Sequence, residues 1–106
     1  MSWYKDYAAD KAVKDQEAAR QAAKRNRDTA LAGMVHTFAD GRVVQVRPND
    51  LPNFQTAIAI GSDQNWVMAD NTTRMTTTAE MQDAVNAAVV QAQAIWSRYA
   101  DDLDAL

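Results

Sequence analysis

The feature that most constrains the fold is a long stretch, residues 77–103, in which apolar side chains recur at steps of three and four residues. The stripe consists of Met81, Val85, Ala88, Ala92, Ile95, Tyr99 and Leu103. This spacing predicts an amphipathic helix that buries one face against the rest of the chain. We expect the helix to begin at Thr77, because Thr77 and Glu80 have the T-x-x-E spacing of a capping box.

The length of 106 residues fits one domain with a core of its own. The chain contains no cysteine, which excludes disulfides, thiolate-held zinc, iron–sulfur clusters and a cysteine nucleophile. No apolar run approaches the roughly 18 residues that a membrane span needs, and the first residues lack the apolar region of a signal peptide. We therefore expect a soluble protein made in the cytoplasm.

The N-terminal part of the chain predicts a second long helix, because residues 3–32 contain no glycine or proline and are rich in good helix formers. Its apolar stripe is thin and consists of Tyr4, Ala8, Ala12, Ala19, Ala23 and Ala30. Charge pairs at helical spacing stabilise such a helix but bury little surface. We expect Gly33 to end the helix, and we predict residues 1–33 as a partner or assembly arm and residues 34–106 as a small α+β domain.

The segment between the long helices predicts two β-hairpins. In the first, two β-prone runs flank Asp40-Gly41, which is a preferred type I′ turn pair. The second, around residues 66–75, is less distinct; the two are similar in outline, but no internal repeat is strong enough to support an argument. Trp66 is expected to anchor the core between them.

A short helix around Phe54 is expected between the two hairpins, with Asn49 or Asp50 as its N-cap. The predicted fold class is therefore α+β. It has a long N-terminal helix, two small antiparallel hairpins with a short helix between them, and a long amphipathic C-terminal helix packed on the sheet.

Residues that could carry catalysis are scarce. His36 is the only histidine, and its place in a predicted strand is more typical of a packed or edge side chain than of a catalytic triad. No glycine-rich phosphate loop, H-E-x-x-H motif or EF-hand spacing occurs. We therefore expect no enzymatic activity, no cofactor and no metal.

One basic cluster lies in the first predicted helix and is the only candidate for phosphate binding: Arg20, Lys24, Arg25 and Arg27. The sequence pI of about 4.9 is far from the basic values of nucleic-acid-binding domains. Glu17 and Asp28 also lie in the same turns, which favours a solvated face. A small nucleic-acid-binding regulator is the alternative function.

Three aromatic residues are candidates for a partner-binding surface. Trp3 and Tyr7 share one helix face, about 130° or more from the centre of the alanine stripe, so they cannot pack inside with that stripe. Exposed aromatic rings are enriched in binding hot spots. Trp96, at the edge of the C-terminal stripe, is a secondary candidate. The alternative is that these rings fold back onto their own domain or decorate its surface.

Four ordered motifs carry a family resemblance. They are Leu31-Ala32-Gly33-Met34-Val35 after a basic helix, Pro48-Asn49-Asp50 before the Phe54 helix, Trp66-Val67-Met68-Ala69-Asp70-Asn71-Thr72, and Thr77-Thr78-Ala79-Glu80-Met81. Over residues 24–99 the chain resembles a small domain of unknown function found at the ends of tailed-bacteriophage tail-fibre genes and in short neighbouring genes. The resemblance implies no catalytic residues.

The same resemblance implies a non-enzymatic protein of a phage tail. Such a protein acts by contacts with a tail-fibre or baseplate protein or with itself, either as a tail or tail-fibre structural component or as a fibre assembly helper. It is made in the host cytoplasm, and both incorporation into the virion tail and a helper role outside it stay open.

Overall fold

The computed structural model describes residues 3–106, and side chains from Tyr4 onward. Within this range the elements in chain order are α1 (Trp3–Ala32), β1 (Val35–Thr37), β2 (Val43–Gln45), α2 (Leu51–Ile60), β3 (Gln64–Val67), β4 (Thr73–Thr76) and α3 (Thr78–Asp104). The two hairpins, β1–β2 and β3–β4, are antiparallel. This is the α+β fold that the sequence predicts. None of the described helices is long and apolar enough to cross a membrane.

The core lies where α2 and α3 cover the hairpins. Its buried apolar residues are Met34, Phe38, Val44, Val46, Phe54, Ala57, Met68, Met81, Ala84 and Ala88. Phe54 and Met81 are the two largest side chains that are fully buried. Trp66 stacks on Phe54 with ring centroids 4.6 Å apart but is only half-buried. Phe54, and not Trp66 as the sequence suggested, is therefore the aromatic residue at the centre of the core.

The first hairpin turns through a three-residue loop rather than the predicted two-residue type I′ turn. Phe38 donates its N–H to the Arg42 carbonyl at 2.8 Å, and Gly41 donates to the Phe38 carbonyl at 2.9 Å. Gly41 has a φ of 85°, whereas Asp40 is not among the residues with positive φ. A type I′ turn needs positive φ at both central residues, and a single left-handed residue after a type I turn is the three-residue solution.

The second hairpin repeats this loop 30 positions later, as Met68 after Phe38 and Asn71 after Gly41 show. Met68 donates to the Thr72 carbonyl at 2.7 Å, and Asn71 has the left-handed φ of 65°. The strand registers shift by the same amount, since Val35 pairs with Gln45 and Asn65 with Met75. The chain between α1 and its C-terminus is thus two hairpin–helix units, an internal repeat that the sequence did not make evident.

The helix N-termini of the two units are held by related contacts. Thr77 accepts a hydrogen bond from the Glu80 N–H at 3.1 Å, and Glu80 accepts one from the Thr77 N–H at 3.0 Å, so the predicted capping box is confirmed. At the equivalent place before α2, Asp50 accepts from the Arg47 N–H at 3.0 Å and from its guanidinium at 2.8 Å. Because its carboxylate is held there, Asp50 does not cap α2 with its side chain.

Candidate protein-interaction surfaces

The N-terminal half of α1 projects from the body of the protein, and we call residues 4–18 the arm. Every residue of the arm is exposed, and the first half-buried residue of α1 is Ala19, followed by the buried Ala23. The described chain measures 72 × 23 × 21 Å and has a radius of gyration of 20.4 Å. A compact chain of this length would have a radius of gyration of about 13 Å. The arm therefore extends for about 22 Å beyond the surface that α1 shares with α3.

The arm is helical through local interactions. Lys11 and Asp15 form an ion pair at 3.0 Å. Gln21, which lies just beyond the arm, donates to Glu17 at 3.0 Å. Such exposed pairs contribute roughly 0.2–0.5 kcal/mol each. Because no other element among residues 3–106 covers the arm, its order depends on helix propensity and on continuity with the anchored part of α1.

The structure places the predicted aromatic anchor Tyr7 on the arm, where its side chain is 60% exposed. The side chain of Trp3 lies outside the described side chains, although its backbone begins α1. On a helical wheel Tyr7 lies about 160° from Ala23, the residue of α1 that is buried against the body. The face that carries Tyr7 therefore points away from the direction in which α1 contacts α3. Val13, also on the arm, is 65% exposed and was not predicted as a surface candidate.

Trp96, the secondary candidate, lies at the seam between α1 and α3. Its side chain is 49% exposed. The Arg27 guanidinium lies 4.8 Å from the centroid of the Trp96 ring and 4.6 Å from that of Tyr99, and the two rings meet edge to face at 5.9 Å. Cation–π contacts of this kind tie the two helices together. Trp96 thus offers one part of its ring to solvent while the other part supports the seam.

The four predicted basic residues differ in exposure and in direction. Arg27 is only 14% exposed and forms an ion pair with Asp28 at 2.8 Å, so it belongs to the helix seam. Arg20 lies 3.9 Å from Glu17. Lys24 and Arg25 are exposed but point about 100° apart on the helix. On the helical wheel Arg20, Lys24 and Arg27 lie within about 60° of one another, whereas Arg25 points away from them. Two residues of that shared face, Arg20 and Lys24, are exposed.

An ion-pair network that the sequence did not reveal joins the two hairpins to α3. Arg74 donates to Asp40 at 2.8 Å and to Glu80 at 2.6 Å, and its guanidinium lies 4.3 Å from the centroid of the Phe38 ring. These contacts, with the Thr77 amide, lower the pKa of Glu80 to about 2, and the Arg74 and Arg42 contacts lower the pKa of Asp40. A general acid or base needs a pKa near the working pH, so these shifts are those of structural ion pairs.

The one histidine of the chain and the remaining carboxylates show no arrangement of a catalytic or metal site within residues 3–106. His36 packs edge to face with Phe38 at a centroid distance of 5.2 Å. Among residues 3–106 no three His, Asp or Glu side chains come together in a way that could hold a metal ion.

A family model described as a domain of unknown function, DUF4376, matches residues 14–106. The matched region includes the whole body and the last part of the arm, and it is longer than the stretch that carries the motifs above. No curated protein and no solved structure matches the chain.

Proposed function

The chain belongs to the DUF4376 family, a domain of unknown function, and on that premise we propose that it is a non-enzymatic bacteriophage tail-associated protein that acts by protein–protein contacts. It serves as a structural component of the tail or tail fibre or as a fibre assembly helper. The phage context rests on the resemblance in sequence motifs. The contact mode rests on one observation, the helical arm that nothing in the body covers.

The arm suits a role in protein contacts because all of its side chains are exposed to solvent. It extends away from the body, so a partner can surround it without meeting the core. The face that carries Tyr7 also carries Asp10, Lys14 and Ala18, which makes it an aromatic end on an otherwise polar helix. A partner that buries this end gains aromatic area at a low cost in side-chain entropy. The arm is therefore the surface on which we expect a tail-fibre or baseplate protein, or a second copy, to bind.

The proposal is tested by co-purification with tail-fibre and baseplate proteins at high salt and by analysis of self-association. We expect the double variant Trp3→Ala with Tyr7→Ala to lose both kinds of association while the melting midpoint of the body stays nearly unchanged. Retention of all associations by a folded double variant would contradict the proposed arm site. Mass spectrometry of purified virions then distinguishes a tail component from an assembly helper.

Two charge reversals on the arm form a matched pair that identifies the binding face. Lys14 lies about 20° from Tyr7 on the helical wheel, whereas Lys5 lies about 160° from it, and both are exposed. Lys14→Glu should weaken association and Lys5→Glu should not, because only the first places a negative charge beside the aromatic end. The reverse result would assign binding to the alanine stripe instead.

A further inference from the structure

A cleft separates the two hairpins. Their tips are joined: Ala69 donates its N–H to the Val43 carbonyl at 2.9 Å, and the Arg42 guanidinium donates to the Thr72 hydroxyl. Apart from the hydrogen bond between Ala69 and Val43, which we call the rung, β2 and β3 are not paired and belong to separate sheets. A cleft of about 390 Å³ opens between them, and Gln45, Arg47, Asn65 and Val67 are among the residues that line it.

The backbone edges of β2 and β3 face this cleft. In an antiparallel pair, residues alternate between those that bond the partner strand and those whose N–H and C=O point away from it. Val46 donates to the Met34 carbonyl at 3.0 Å, and Phe38 donates to the Arg42 carbonyl. Gln45 lies between two residues that bond the facing side of the hairpin, so its backbone N–H and C=O point away from β1.

The second hairpin shows the same alternation. Met68 donates to the Thr72 carbonyl, so the groups of Val67 and Asn65 point away from β4. The Ala69 N–H and the Val43 carbonyl, which bond each other, also point away from β4 and β1, in agreement with this alternation. The rim formed by β3 therefore offers backbone donors and acceptors two residues apart, at Asn65 and Val67. The rim formed by β2 offers those of Gln45, because the Arg47 N–H is bonded to Asp50.

The side chains of the cleft add neutral hydrogen-bonding groups. Four carboxamides line it, and none of them makes a side-chain hydrogen bond within residues 3–106: Gln45, Asn53, Asn65 and Asn71. The charge of Arg47 is matched by Asp50, which accepts two guanidinium hydrogen bonds at 2.8 and 3.1 Å. The half-buried Trp66 contributes an aromatic wall. The cleft thus combines polar, uncharged recognition with one apolar surface.

We propose that this cleft binds an extended, uncharged peptide segment of another protein by strand addition. The outward groups of Asn65 and Val67 on β3 are two residues apart, which matches the repeat of an extended peptide, about 6.6–6.8 Å per two residues. Gln45 of β2 lies on the opposite rim. Backbone pairing supplies the affinity, and the carboxamides select side chains that are polar and uncharged. A charged segment is disfavoured because Arg47 and Asp50 already neutralise each other. The inference does not depend on the arm.

The probe is a library of N-acetylated, C-amidated hexapeptides built from uncharged residues, added to the full ¹⁵N-labelled chain. We expect selected peptides to perturb the backbone amides of Gln45, Asn65 and Val67 and to leave the amides of the arm unchanged. A copy of a selected peptide that is N-methylated at alternate residues should lose binding, because it cannot donate to the rims. Equal binding of the methylated copy, or no perturbation in the cleft by any peptide, would overturn the proposal.

Two variants at one position separate backbone from side-chain recognition. Gln45→Pro removes an N–H that points away from the β1 ladder, a place where a strand tolerates proline, and should weaken peptide binding about tenfold. Gln45→Ala keeps the N–H and should weaken binding less. Chemical shifts of the β1–β2 ladder verify that the proline variant is folded, and the methylated peptide decides the matter if it is not.

A neutral hexasaccharide tests the competing class of ligand. Perturbation of the carboxamide side chains by the sugar, retained in Gln45→Pro and lost in Gln45→Ala, would replace the peptide site by a carbohydrate site and overturn the proposal. Absence of any sugar effect, together with the peptide results above, supports strand addition.

Discussion

The arm should exchange its amide hydrogens far faster than the core, and this prediction tests whether it lacks tertiary support. Its residues are helical but all exposed, so only helix propagation opposes fraying from the N-terminal end. Propagation contributes at most roughly 0.3 kcal/mol per residue, the value that corresponds to a propagation constant of about 1.6. Unzipping the arm as far as Ala12 opens about nine residues and so costs at most roughly 2.5 kcal/mol. Protection of the Ala12 amide is therefore expected to stay below about 100-fold.

The amide of Ala88 provides the comparison within the same molecule. Ala88 is fully buried in the middle of α3, and its exchange requires loss of the core. A free energy of unfolding in the range of about 5–15 kcal/mol protects such an amide by more than about 1,000-fold. The ratio between the two sites should thus be at least about tenfold, with much larger values for a body of ordinary stability.

The assay is hydrogen–deuterium exchange read by mass spectrometry at protein concentrations where the chain is monomeric. Arm peptides should label early and peptides of α3 late. Protection of the arm equal to that of α3 in the monomer would refute the reasoning. Protection that appears only as concentration rises, or on addition of a tail protein, would instead show the arm being covered by a partner, as the proposed function requires.

Three further predictions concern the body. Phe54→Ala should cost about 3–5 kcal/mol in urea denaturation, because it leaves a cavity at a fully buried site; a loss below about 1 kcal/mol would contradict that placement. Thr77→Ala should lower the free energy of unfolding by about 0.5–2 kcal/mol and leave partner binding intact, which binding assays on the folded variant verify. Because the pKa of Glu80 is lowered, the stabilisation by its carboxylate is complete above pH 4.5, the ordinary pKa, and is lost as the pH falls toward about 2. The urea midpoint of Glu80→Gln should therefore depend less on pH in that window than the midpoint of the natural chain.

Local sequence signals predicted the helices and their boundaries because the determining interactions are local. The capping box joins residues three positions apart, and the stripe of α3 needs only the helical period. The turn type of the first hairpin was wrong for a related reason. Asp40-Gly41 is compatible with both a two-residue and a three-residue loop, and the choice depends on the register with which β1 meets β2.

The two units share the Ala-Asp pair of their loops, Ala39-Asp40 and Ala69-Asp70, but few residue types elsewhere, and the internal repeat was therefore missed. Val46 and Thr76 are both fully buried, as are Phe54 and Ala84, yet neither pair is similar in sequence. A large residue of α2, Phe54, and a small one of α3, Ala84, occupy equivalent positions of the two units within one core. Burial of complementary volumes is a property of the packed pair, and a comparison of letters does not reveal it.

The arm and the cleft differ in how far sequence could anticipate them. The weak stripe of α1 already indicated a helix with little to bury, and the structure shows where its contact with the body ends. The cleft depends on the angle between two hairpins that are joined at one rung, and no local pattern encodes that angle.

The unpaired strand edges in the cleft are a stronger indication of a binding site than the exposure of the arm. Exposed strand edges invite unwanted pairing, and proteins commonly cover them. The outer edge of β1 is engaged at one point, because Gln91 of α3 donates to the Val35 carbonyl at 2.8 Å. The inner edges of β2 and β3 are left open, although the hydrogen bond from Ala69 to Val43 sets a register in which Gln45 lies opposite Val67. A fold that engages the outer edge of β1 and leaves the facing edges of β2 and β3 unpaired is expected where a strand from another chain binds between them.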